Sequence, residues 1–238
     1  MEIKAILFDL DGTLLPMDYE DFTRAYFSAL AKKLTPYGYD AKKLVDAIWQ
    51  GTAAMVKNNG EKNNETVFWQ SFSEIFGEQV YDDIKLFEEF YRTDFQAVKS
   101  VCGFNRKAAD TIAFVKKLGF RIVLATNPIF PAIATESRIR WAGLDVNDFE
   151  FYTTYENIGY CKPNTEYYLE IARRLKVKPE ECLMVGNDVG EDMIAKAVGM
   201  KVFLLTDCMI NKKDEDIAAY SNGDFDKLCE FVAGLRGE

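Results

Sequence analysis

The sequence predicts an α/β protein in which a parallel sheet, covered by helices on both faces, carries an inserted all-helical unit. Three observations predict it. From residue 103 onward, short apolar runs rich in β-formers alternate with stretches of helical period, the pattern of strand-helix-strand units and hence of a parallel sheet. Residues 18–97 instead keep a helical period, with no convincing strand among them. The chain also opens on an apolar run, 3–8, that breaks at once into Asp9-Leu10-Asp11-Gly12-Thr13, which reads as a buried strand ending in a tight loop.

The elements follow in order. After strand 3–8, Phe22, Tyr26, Phe27, Leu30 and Leu34 recur at helical spacing, and three further helices are expected near 40–58, 64–76 and 78–93. Pro36-Tyr37-Gly38 and Asn58-Asn59-Gly60 supply turns between them. Next come a helix near 105–118, strand 121–125, a helix near 131–142, a short strand at 149–152 and a helix near 164–175. Strand 182–185, helix 191–198, strand 201–205 and a terminal helix near 224–234 complete the scheme. The expected division is a discontinuous core, 1–17 and 98–238, and a helical unit, 18–97, joined by linkers near 15–18 and 95–103. In such a sheet the crossovers are right-handed, and ligands bind beyond the carboxyl ends of the strands.

Composition narrows the function. The 238 residues are 48% hydrophobic and 28% charged, enough for one large domain or a core carrying a smaller one. A formal charge of −9 argues against a nucleic-acid partner. A small anionic substrate stays open, because a divalent cation and one lysine can reverse the local field. The sequence has no histidine, which removes every mechanism that needs an imidazole base. Carboxylates, lysine and metal are left to do the chemistry. Cys102, Cys161, Cys182, Cys208 and Cys229 form no CxxC pair and read as reduced thiols. With no basic-then-apolar leader and no long apolar run, the expectation is a cytoplasmic protein without a membrane partner. The oligomeric state is not legible.

Four clusters carry the chemistry. Asp9 and Asp11, two apart at a strand end, point toward one crevice while Leu10 turns into packing. Two carboxylates held together imply a cation or a raised pKa, and their roles can divide between attack and proton transfer. Thr126-Asn127-Pro128 ends the second strand; alone it is an ordinary loop, yet a hydroxyl and an N–H there suit phosphate oxygens. Lys162-Pro163 stands before a helix, with the proline suited to its first turn; alone the lysine is a solvated charge, yet projecting from such a start it would neutralise a transferring phosphoryl group. Gly186-Asn187-Asp188 through Asp192 follows the strand at 182–185, where Asp188 and Asp192 are candidate oxygen ligands and Asp188 could equally cap a helix.

Together these four clusters resemble the motifs of the haloacid dehalogenase-like hydrolase superfamily, in its phosphatase type with a helical cap. The resemblance spans the whole chain. It implies a Rossmann-like three-layer core with a lid, and Mg²⁺ as cofactor. It makes Asp9 the nucleophile, Asp11 the general acid and then base, and Lys162 the group that orients Asp9. The implied phosphate-binding set is Leu10, Thr126, Asn127 and Lys162, and the implied metal set is Asp9, Asp11, Asp188 and Asp192. One departure matters, because members often have Gly-Asp where this chain has Gly186-Asn187. The metal ligand of the last motif is therefore expected at Asp188, with Asn187 and Asp192 as alternatives.

The implied activity is hydrolysis of a small phosphate monoester through an aspartyl-phosphate. Phosphotransfer on a sugar phosphate is the alternative; 2-haloacid dehalogenation, which has no use for Asp11, is a weaker one. Substrate choice is expected to rest with the helical unit, whose Tyr19, Phe22, Tyr26, Trp49, Phe68 and Trp69 could stack on substrate but are spaced as packing residues. The unit is expected to open and close about its two linkers.

Overall fold

The structure, a computed structural model, describes residues 2–236. Its centre is a six-stranded sheet with every pairing parallel. The strands are β1 (Ala5–Phe8), β2 (Arg121–Leu124), β3 (Phe151–Tyr152), β4 (Cys182–Gly186), β5 (Lys201–Leu205) and β6 (Ser221–Gly223), in the order β3-β2-β1-β4-β5-β6. β1 is interior, with Phe8 level with Leu124 on one side and Val185 on the other. Its side chains alternate between two buried layers. Ile6 and Phe8 join the cluster that continues into the helical unit, while Ala5 and Leu7 pack with Tyr167, Tyr168 and Ile171. The strand order reverses at β1, so a crevice opens beyond its carboxyl end.

Between β1 and β2 the chain first builds α1 (Tyr19–Leu34), α2 (Ala41–Val56), α3 (Asn64–Phe76) and α4 (Ile84–Arg92), with no strand among the described residues. Side chains start the first three: Asp18 accepts from Asp21 N at 2.9 Å, Asp40 from Lys43 N at 2.8 Å and Asn63 from Thr66 N at 3.0 Å. Their apolar faces meet in an aromatic cluster that includes Phe22, Tyr26, Phe72, Phe87 and Phe90. The two chain crossings to the core lie side by side, since Gly103 N donates to Pro16 O at 2.7 Å and Met17 bridges Cys102. α5 (Arg106–Lys117), α6 (Ala132–Trp141), α7 (Thr165–Leu175) and α8 (Phe225–Gly234) flank the sheet.

Several expectations shift. The helix expected near 78–93 is a 3-10 turn, Glu78–Tyr81, followed by α4, and the one at 191–198 is a 3-10 helix, Met193–Val198. β6 was not foreseen, because Ser221-Asn222-Gly223 carries no apolar alternation; it adds beside β5 through backbone pairing alone. Pro163 does not sit in the first turn of a helix. α7 is capped by Asn164, so Pro163 precedes the cap, and the Lys162–Pro163 bond is cis. All five cysteines are unpaired, and no described helix is long and apolar enough to cross a membrane.

Candidate active site

A cleft of about 660 Å³ lies where the carboxyl ends of β1, β2 and β4 meet the helical unit. Seven carboxylates line it, against one lysine, Lys212. Asp9 takes the first position after β1 and is 7% exposed. The turn that follows is tight: Thr13 N and Leu15 N both donate to Leu10 O, at 3.2 and 2.8 Å. Leu10 itself is fully buried in the core. Gly12 is required here, since its φ is +82° and a Cβ would stand 2.3 Å from Asn187 Nδ2. That close approach joins the first cluster to the last. Thr13 Oγ1 donates within reach of both Asp9 Oδ2, at 3.2 Å, and Asn187 Oδ1, at 3.0 Å.

Lys162 is the electrostatic centre. Its ammonium, fully buried, donates to Asp9 Oδ1 at 2.8 Å and to Asp192 Oδ1 at 2.6 Å. Burial pulls this group toward its neutral form, but Asp192 and Asp9 outweigh it and hold the lysine pKa well above its ordinary value. Burial raises the Asp192 carboxyl, with Lys162 pulling the other way. Asp192 has little freedom left, because its Oδ2 accepts from Asp188 N at 3.0 Å. Gly186 allows this packing; a Cβ there would stand 2.1 Å from Asp192 Oδ2. Asp188 lies at the cleft, and its Oδ1 accepts from Gly190 N at 2.7 Å and Glu191 N at 3.0 Å.

The second cluster supplies unpaired polar atoms. Thr126 is 1% exposed, and its hydroxyl has no partner among the described residues, while its carbonyl accepts from Tyr167 OH at 2.8 Å and Thr153 Oγ1 at 2.7 Å. Those two bonds fix the end of β2. Asn127 donates through Nδ2 to Glu191 Oε2 at 3.1 Å, leaving its Oδ1 without a partner. Asp9, Asp11, Thr126, Asn127, Asp188 and Asp192 thus face one cleft, with Lys162 beneath it.

A family model of haloacid dehalogenase-like hydrolases matches residues 3–199. The chain belongs to this family. Among proteins similar to this hydrolase is the phosphoglycolate phosphatase of Colwellia psychrerythraea, 25% identical over 252 residues covering 99% of this chain and 98% of that one. Two solved structures share the fold. The 2-haloacid dehalogenase of Pseudomonas syringae pv. Tomato is 21% identical with a TM-score of 0.63, over 98% of this chain and 99% of that one. YfnB of Bacillus subtilis, solved bound to magnesium, is 20% identical with a TM-score of 0.58, over 98% of this chain and 100% of that one.

One site residue of this hydrolase escaped sequence reasoning. Arg138, on α6, is fully buried, donates to Asp11 Oδ2 and lies 4.4 Å from the Phe130 ring centroid. Its signal was an arginine four residues from Ala134 and three from Trp141, on the helix face that packs inward. Desolvation raises the Asp11 carboxyl above its ordinary value, and the guanidinium opposes that rise. Arg138→Met removes the charge while keeping most of the volume. Because the Asp11 side chain keeps 30% exposure and can rehydrate, the expected loss is about 2 kcal/mol, below the ~3–5 of a fully buried pair. Urea unfolding measures it.

Proposed function

We propose that the protein hydrolyses the phosphate monoester of a small metabolite, using Asp9 as covalent nucleophile and Mg²⁺ as cofactor. The observation that carries this reading is the asymmetry of Asp9, a cleft-lining residue: Oδ1 is pinned by the buried Lys162 at 2.8 Å, while among the described residues Oδ2 has within reach just the Thr13 hydroxyl, at 3.2 Å, whose one proton has the closer acceptor in Asn187 Oδ1 at 3.0 Å. Such a carboxylate is oriented for attack and cannot rotate away. The phosphatase activity of the Colwellia relative points the same way.

In this reading Asp9 forms a bond to phosphorus as the ester oxygen departs, and Asp11 gives that oxygen its proton. Asp11 then takes a proton from water, whose oxygen displaces the phosphoryl group from Asp9 and regenerates the free carboxylate. Asp11 Oδ1, which has no partner among the described residues, is the oxygen available to hold the proton. Lys162 offsets charge on the transferring group, and the Thr126 hydroxyl holds one of its oxygens.

The donors present fit Mg²⁺. The Asp11 carbonyl accepts no hydrogen bond among the described residues, and Asp188 keeps Oδ2 open. Asn187 spends both ends of its amide, on Thr13 and on Cys208 O at 2.7 Å, and both Asp192 oxygens are engaged. We therefore assign Asp9, the Asp11 carbonyl and Asp188 as the ligands, leaving Asp192 as the brace of Lys162. No three acidic or thiol side chains close on one point among the described residues, so this assignment rests on two side chains and one backbone carbonyl. Bound there, the ion would polarise the phosphoryl oxygens.

The test is phosphate release from a panel of monoesters with Mg²⁺ and after chelation. Release that survives complete chelation, or none from any ester with Mg²⁺, overturns the reading. Asp188→Asn is expected to raise the Mg²⁺ concentration for half-maximal rate by about 10–100-fold. If Asp188→Asn leaves that concentration unchanged, Asp188 is not a ligand.

A further inference from the structure

A second cavity, of about 80 Å³, lies between the helical unit and the segments that follow β2 and β3 and adjoins the cleft, since Tyr19, Phe22, Ile129 and Phe130 line both. All six aromatic residues that the sequence left open between stacking and packing line this slot: Tyr19, Phe22, Tyr26, Trp49, Phe68 and Trp69. Its walls come from α1 to α4 and its floor from residues 129–131 and Tyr155. No lysine or arginine lines it among the described residues. Its one carboxylate, Glu88, is exposed and lies 3.5 Å from Arg92.

These walls discriminate. A leaving group with a carboxylate or a second phosphate would lose its water and meet no lysine or arginine on these walls, and a polyol would have to compete for wall hydroxyls of which Tyr26 OH and Tyr91 OH already pair at 2.9 Å. An apolar chain loses nothing by entering. The Trp69 indole N–H is buried near the Tyr155 hydroxyl but makes no hydrogen bond of full geometry among the described residues, although buried tryptophans ordinarily do. A single acceptor on the ligand would satisfy it. The volume is about half of the ~150 Å³ that admits benzene, which excludes a nucleobase and suits a short chain.

We infer that this slot receives the leaving group, and that the substrate is the phosphate monoester of a short, largely apolar alcohol. The inference rests on the phosphatase reading above. It separates this chain from an enzyme of phosphoglycolate, sugar phosphates or pyrophosphate.

The experiment compares kcat/KM with Mg²⁺ for methyl, ethyl, propyl and butyl phosphate, beside phosphoglycolate, glycerol 3-phosphate and acetyl phosphate. The alkyl series is expected to rise about fourfold per methylene, with both polar esters at or below methyl phosphate. A flat series, or a polar ester ahead of butyl phosphate, overturns the inference while turnover of any of these esters leaves the phosphatase reading standing. Failure of every ester sinks that reading and this inference with it, whatever happens to acetyl phosphate. Thr52→Trp narrows the slot from α2, where Thr52 is half-buried, and is expected to lower the butyl-to-acetyl ratio about tenfold. Binding gives a readout independent of turnover: butylphosphonate is expected to perturb the fluorescence of Trp49 and Trp69 at far lower concentration than methylphosphonate. Equal affinity for the two overturns the inference.

Discussion

Asp9→Asn is expected to lower phosphate release by about 10⁴-fold or more, the scale on which removal of a covalent nucleophile acts. The amide matches the carboxylate in shape but has no oxygen able to attack phosphorus. Its fold should survive, because Lys162 keeps Asp192 as counter-ion at 2.6 Å and no buried charge is stranded. Unfolding is thus expected to shift by about 1 kcal/mol or less. Two measurements check this: steady-state phosphate release, and mass spectrometry of acid-quenched protein for a phosphoryl adduct present in the native chain and absent from the variant. Turnover within tenfold of the native rate would remove the covalent mechanism.

Lys162→Met should damage both activity and stability. Asp192 has 2% side-chain exposure and Asp9 10%, so removing the ammonium strands two neighbouring carboxylates in the interior. Breaking a buried pair in this way costs about 3–5 kcal/mol, readable as a lower denaturant midpoint. Phosphate release should fall by about 10³-fold with the loss of charge opposite the transferring group. Adding Asp192→Asn to Lys162→Met separates the two roles. The neutral amide relieves the buried charge, so the double variant should recover much of the stability and none of the activity. If the double variant is no more stable than the single one, Asp192 does not brace the lysine electrostatically.

Where a residue's position was set by its place after a strand, the sequence was legible. Asp9 and Asp11 follow an uninterrupted β-former run, and Gly12 after them could be assigned to a turn from residue type alone. The parallel sheet was equally legible, because its inner strands are buried on both faces and read as apolar runs. β6 was not, since a strand held by backbone bonds at a sheet edge needs no apolar side chains. Arg138 was missed for a related reason: a single cation on a helix looks solvated until the partner 127 residues away is in place. The last motif was ambiguous because Asn187, Asp188 and Asp192 all offer oxygens in a sequence. Only contacts reveal which of those oxygens are already spent, on Thr13, on Lys162 and on backbone N–H groups.

The crowd of acids around the mouth also governs the order of arrival. A doubly charged ester drifting in past Asp11, Asp18, Glu20, Asp188 and Glu191 meets repulsion before it meets Lys162, which lies beneath the floor with its charge shared between Asp9 and Asp192. Encounter should therefore be slow when no divalent ion precedes the ester. Monovalent salt, which shortens the Debye length to about 8 Å at physiological strength, should hasten that encounter where it would slow one steered by attraction.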